Sequence, residues 1–166
     1  MPYPYSGREM VTRLIRAGTT TAVIDGLFSS VLSVAFYGST VTALWQRVAS
    51  TLVGPDAMNR GMQTVAIGIL MHVGVAFAWS AVFLFVAMRS GWIREVLASS
   101  FGAVKIGAMY GPVIWVVMSL AVIPLLTHTD PKITFRWWVQ FVAHFPFVGL
   151  PISLAARMTP ESVISR

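Results

Sequence analysis

Asp25, His72 and His144 are the residues of this chain with the most chemistry to offer, and each sits inside a long apolar run. An Asp at the centre of a lipid-embedded helix costs about 2.5–3.5 kcal/mol on insertion scales. Two states make such a carboxyl tolerable: it holds a proton, or it pairs with a cation. Lys105, near the start of a later apolar run, is the expected cation. Asp25 falls among small residues, between Ala22 and Ser29, so it is expected to face other helices and not lipid. The roles open to it are a register-fixing polar contact, a proton relay or a contact to a small solute.

The two histidines lie in separate runs. His72 follows Gly61 by 11 residues and His144 follows Trp137 by 7. If both runs start from one face, the difference in depth is about 6 Å at the rise of an α-helix. Two imidazoles at similar depth are the minimum for holding a b-type haem between them. The same pair equally suits neutral rings bonded to backbone carbonyls, or contact with a proton or quinone. His128-Thr129-Asp130 offers two metal-ligand types without a third, so no metal site is expected. Ser29-Ser30 and Ser99-Ser100 lack a partnered base, cysteine is absent, and no phosphate-binding, dinucleotide or H-E-x-x-H motif occurs. No catalytic residue is assigned, and a self-contained enzyme is not the expected reading.

Composition dictates the elements that must position these groups. Of 166 residues, 56% are hydrophobic and only 11% charged, with a mean hydropathy of +0.73. Soluble domains carry about 25% charged residues, so a water-soluble globule and a disordered chain are both excluded by this reading. The gaps between charges mark four runs. Positions 17–46 hold one charge, Asp25; 28 uncharged positions separate Arg60 from Arg89, 24 separate Lys105 from Asp130, and 20 separate Arg136 from Arg157. A span needs about 20 residues. The expected fold class is therefore all-α: a polytopic transmembrane four-helix bundle forming a single membrane domain over 1–166. Its spans are expected at about 17–37, 63–88, 101–126 and 137–157.

Residues 41–53 place Leu44, Trp45, Val48 and Leu52 on one face, which predicts a short interfacial helix between spans 1 and 2. Gly54-Pro55-Asp56 should end it. Small residues recur every fourth position at Gly18, Ala22, Gly26 and Ser30, and again at Gly68 and Ala76 around His72 and at Ala103, Gly107 and Gly111. Such stripes let helix backbones approach closely, within the bundle or between copies. Pro112, Pro124, Pro146 and Pro151 break the hydrogen-bond ladder of spans 3 and 4, and a bend is expected near His144-Phe145-Pro146.

The basic residues set orientation. Arg8, Arg13, Arg16, Arg89, Arg94, Lys105, Arg157 and Arg166 make eight on the side of the termini, against four on the other side: Arg47, Arg60, Lys132 and Arg136. The positive-inside rule then puts both termini in the cytoplasm. The net charge of +6 is topological on this reading, and no nucleic-acid partner is expected. The first run is too long for a signal-peptide core and lacks a small-x-small cleavage site, so an uncleaved anchor is expected.

Several strings are familiar: Ala17-Gly18 with Asp25, ASTLVGPDA (49–57), GILMHVGVAFAW (68–79), MYGPVIWVVMSLAVIPL (109–125) and HFPFVGLPISLAAR (144–157). Over most of residues 17–157 the chain resembles a group of small bacterial four-helix integral membrane proteins, a domain of unknown function. The resemblance implies four spans and a bacterial inner-membrane setting, and it carries no functional residue over. The expected role is an accessory or interaction subunit that docks other membrane proteins or a second copy through its small-residue seams. The alternatives are electron transfer through a haem on His72 and His144, or movement of a proton or small solute past Asp25.

Overall fold

Ser6 starts the first helix. Its hydroxyl accepts the Glu9 N–H, and the Glu9 carboxylate accepts the Ser6 N–H, the reciprocal bonding of a capping box. Helix α1 then runs Gly7–Ala35, starting ten residues before the apolar boundary at 17. The cap sets the start, and hydropathy does not. The computed structural model describes residues 6–157, which leaves Arg166 of the charge count outside.

Helix α2 (Val41–Val53) is capped by the Thr40 hydroxyl and stopped at Gly54, whose φ of 84° suits glycine. A 3-10 turn (Pro55–Asn59) leads to α3 (Met62–Arg89), α4 (Gly91–Ala98) and α5 (Gly102–Val117). A π turn (Met118–Val122) joins α5 to α6 (Ile123–Thr127), and a second π turn (Phe145–Gly149) joins α7 (Phe135–His144) to α8 (Leu150–Ala155). Each π turn lies beside a proline, Pro124 or Pro146. Lacking an N–H, the proline leaves a carbonyl free and the ladder widens: Leu150 N–H reaches back five residues to the Phe145 carbonyl. The bend expected near Pro146 takes this form.

The described residues contain helices and no strand, so the protein is all-α. Four helices are long and apolar enough to cross a membrane: Gly7–Ala35, Met62–Arg89, Gly102–Thr127 and Phe135–Ala155. Apart from the start of α1, the expected span ends lie within two residues of these bounds. Many large apolar side chains lie on the outside: Leu125 is 74% and Phe135 81% exposed, while Ala17, Ala49, Ala87 and Ala156 are fully buried. Small residues mark the closest helix contacts.

The glycines mark where backbones meet. A Cβ on Gly68 would strike the Trp45 carbonyl oxygen, one on Gly111 the His144 carbonyl oxygen, and one on Gly149 the Gly107 carbonyl oxygen. Gly18 lies against the Phe77 ring, a Cβ there standing 2.6 Å from Cγ. The predicted small-residue stripes are therefore seams inside this one chain.

Helix α2 has its expected bounds, and it packs on α3 through a narrow side. Trp45, Gln46 and Ala49 are buried, while Leu52 is 62% exposed. The helix packs along α3, with Gln46 Nε2 donating to the Gly61 carbonyl at 3.2 Å. Of the expected apolar face of Leu44, Trp45, Val48 and Leu52, Trp45 is buried and Leu44 and Val48 are half-buried; close approach at Gly68 adds Ala49.

At the other end of the bundle, α3, α4, α5 and α8 share a core that includes Leu84, Leu97, Ile106 and Ile152. Tyr110 on α5 donates its hydroxyl to the Trp79 carbonyl of α3 at 2.8 Å. Tyr110→Phe removes that bond without changing shape, and is expected to lower unfolding free energy in detergent by about 1 kcal/mol, read from a thermal melt.

Candidate functional site

Asp25 stands at the centre of the buried face of α1, with Thr21 one turn before it and Ala22 and Gly26 beside it. Gly26 lets two neighbours come close: a Cβ there would stand 3.4 Å from His72 Nε2 and 3.5 Å from the Trp45 ring. This close approach of α1, α2 and α3 carries His72 to Asp25. His72 Nδ1 is 3.9 Å from Asp25 Oδ2, and its Nε2 is 3.0 Å from the Ala22 carbonyl oxygen. Trp45 packs on the imidazole, ring centres 5.2 Å apart.

His144 ends α7, where the π turn begins. Its Nδ1 is 2.7 Å from the Gln140 carbonyl oxygen, and its ring lies 4.8 Å from that of Trp115. His144 interacts electrostatically with both Asp25 and His72. Asp25 and His72, on α1 and α3, thus form one polar pair, and His144, at the end of α7, is near enough to act on both.

Lys105 does not join it. Gly111, seated against the His144 backbone, marks the level of the cluster on α5. Lys105 is six residues earlier, about 9 Å along the helix axis, and its side chain is exposed. The expected Asp25–Lys105 pair is replaced by Asp25–His72. Residue counting led to Lys105 because it does not say which helices are the neighbours of α1 at Asp25.

A carbonyl oxygen only accepts hydrogen bonds, so His72 Nε2 and His144 Nδ1 must both donate. Each neutral ring then offers a lone pair on its other nitrogen. For His72 that nitrogen faces the Asp25 carboxyl group. A carboxylate facing a lone pair is repulsive, so the arrangement is favourable when one proton resides on the pair, on either the carboxyl or the imidazole. The side chains of Asp25 and His72 are 14% and 18% exposed. The pair is enclosed by helices and only slightly exposed.

No family model, curated protein or solved structure matches this chain. The site is therefore read from its own geometry. A haem between His72 and His144 needs one free ring nitrogen from each, aimed at a common iron. His144 meets that need, with Nδ1 on a backbone carbonyl and Nε2 free. His72 does not: Nε2 is on Ala22, Nδ1 faces Asp25, and Trp45 covers the ring. The residues present do not fit a haem. Among the described residues, no group of three or more His, Asp or Glu side chains is placed to hold a metal ion.

Two members of the site escaped the sequence reading. Trp45 belongs to α2 and reaches the cluster only because Gly26 and Gly68 admit it. Thr21 is 2% exposed, and its hydroxyl has no hydrogen-bond partner. Its spacing of one turn from Asp25 was a usable signal. His72→Leu would leave both the Ala22 carbonyl and the Asp25 carboxyl without their partner. It is expected to lower stability by about 2 kcal/mol. In an Asp25→Asn background the loss should shrink to about 1 kcal/mol, a coupling measurable by a double-mutant cycle of thermal melts.

Proposed function

We propose that this chain is a multi-pass membrane protein, a transmembrane four-helix bundle whose Asp25–His72–His144 cluster binds and releases protons within the bilayer, so that the protein moves protons across the membrane. The observation that carries this reading is the approach of His72 Nδ1 to Asp25 Oδ2 at 3.9 Å, with His72 Nε2 committed to a carbonyl. That geometry holds one dissociable proton in the middle of two apolar helices. Ionisable groups in such positions are costly and line ion or proton paths. The π turn that starts beside His144 supports the same reading, because π turns gather at functional sites.

The bilayer setting rests on four apolar helices and an exterior of large apolar side chains. A bacterial inner membrane with cytoplasmic termini is part of the proposal; it rests on the eight-to-four distribution of basic residues and on the resemblance noted above. The accessory-subunit reading loses ground because its seams at Gly18, Gly26, Gly68, Gly107 and Gly111 are occupied by this chain's own helices.

The test is proton flux. Purified protein is reconstituted in vesicles with a trapped pH dye, and a potassium diffusion potential is applied. Acidification faster than in protein-free vesicles supports the reading. Flux equal to protein-free vesicles overturns it.

A further inference from the structure

The hydroxyl groups of α1 differ in what they bond. Thr12, Thr20 and Ser30 donate to the carbonyls of Arg8, Arg16 and Gly26, one turn back. That is the ordinary fate of such groups in an apolar helix. Thr21 is almost wholly buried, and its hydroxyl makes no hydrogen bond. Four residues on stands Asp25, then Ser29, then Ser33, then Tyr37. Ser33 is 6% exposed, and the Tyr37 hydroxyl is buried with no partner. Side chains four apart share a helix face, and the steps from Thr21 to Ser33 rise about 6 Å each, a gap that one water bridges. Tyr37 lies just past the end of α1, where the Arg136 guanidinium sits 4.1 Å over its ring.

The other direction is closed. One turn before Thr21 comes Ala17, fully buried, and beside it the Phe77 ring fills the space at Gly18. The next polar side chain on that face is Arg13, two turns from Thr21, and it donates to the carbonyls of Ala155 and Arg157. We propose that in this conformation Asp25 exchanges its proton only with the face carrying the α1–α2 connection, along a water-bridged ladder of Ser29, Ser33 and Tyr37, and that passage to the other face needs a second conformation. Thr21 forms its blind inner end. The proposal rests on the proton-binding reading of Asp25 and adds the route and its sidedness.

The chain has no cysteine, so single cysteines report water access directly. Variants Thr21→Cys, Ser29→Cys and Ser33→Cys are reconstituted in vesicles and treated from each side with a membrane-impermeant cationic methanethiosulfonate. Phe36→Cys, 74% exposed in the connection, identifies the face; Leu27→Cys and Val31→Cys, 64% and 61% exposed on the outside of α1, are apolar-surface controls. Ser33→Cys and Ser29→Cys should label at least about tenfold faster than the controls, a difference of about 1.4 kcal/mol in barrier. They should do so from the Phe36 side alone, with Thr21→Cys slower from that same side. Ala17→Cys should stay unlabelled from both sides. Ladder positions no faster than controls, or Ala17→Cys labelling from the side of the termini, overturn the route.

Labelling needs no flux, which separates the two ideas. Equal labelling with Asp25-dependent flux intact overturns the route alone. Absence of Asp25-dependent flux overturns the reading beneath it and the route together.

Discussion

Asp25→Asn is expected to reduce proton flux to that of protein-free vesicles, a loss of about 100-fold or more, while the helices and their packing stay in place. Asparagine keeps the shape of the carboxyl and can still face His72 Nδ1 with its amide N–H. What it cannot do is gain or lose a proton near neutral pH. The 3.9 Å separation is longer than a hydrogen bond, so removing the charge should change unfolding free energy by only about 1 kcal/mol. Asp25→Glu keeps the carboxyl but pushes it one methylene towards His72 and Trp45, so partial flux is expected. Flux that survives in the Asn variant would show that the proton passes elsewhere. Flux lost together with helix content, read by circular dichroism, would instead mark Asp25 as a folding residue, and the site would lose its function.

The Asn variant separates two uses of a polar group in an apolar helix, and the sequence foretold both without choosing between them. The number of long apolar helices and the ends of the second and third were legible because a single charge at an end, such as Arg60 or Arg89, outweighs many weak preferences. The same logic misplaced the start of α1. A Ser6–Glu9 capping box fixes a helix end whatever the hydropathy around it. The close approach of α1 and α3 at Gly26, and not the start of α1, sets Asp25 beside His72 and away from Lys105.

The meeting of Asp25, His72 and His144 was legible only in part. Matched depth could be read from residue counts, but depth does not say which helices are neighbours or which way a ring turns. The ring orientation of His72 depends on the Ala22 carbonyl, and its cover depends on Trp45 passing over Gly26. Both are consequences of the α2–α3 hairpin. The packing side of α2 was not legible for a related reason. Side-chain hydrophobicity marks the face of Leu44, Trp45, Val48 and Leu52, whereas backbone contact at Gly68 rewards a small partner, Ala49, over a large one. The ladder from Thr21 to Tyr37 was present in the spacing, but which hydroxyls are already spent on carbonyls is a matter of rotamers.

Gly149→Ala should be among the most damaging single methyl groups added to this protein, lowering stability by about 3 kcal/mol. Helices α5 and α8 cross backbone to backbone where Gly107, Gly111 and Gly149 meet. A Cβ on Gly149 would stand 2.6 Å from the Gly111 nitrogen and 2.9 Å from its Cα, with the Gly107 carbonyl oxygen closer still. None of these atoms belongs to a flexible side chain, so relief requires the two helices to separate. Separation opens the seam on both sides of the π turn and carries His144 with it, because the His144 carbonyl is itself seated on Gly111. Proton flux should therefore fall along with the melting temperature. Gly74→Ala is the matched control: nothing lies within 4 Å of its added Cβ, and alanine in an open helix position is expected to stabilise by up to about 1 kcal/mol. If the Gly149 and Gly74 variants melt alike, the close crossing of α5 and α8 is not what holds His144 in place.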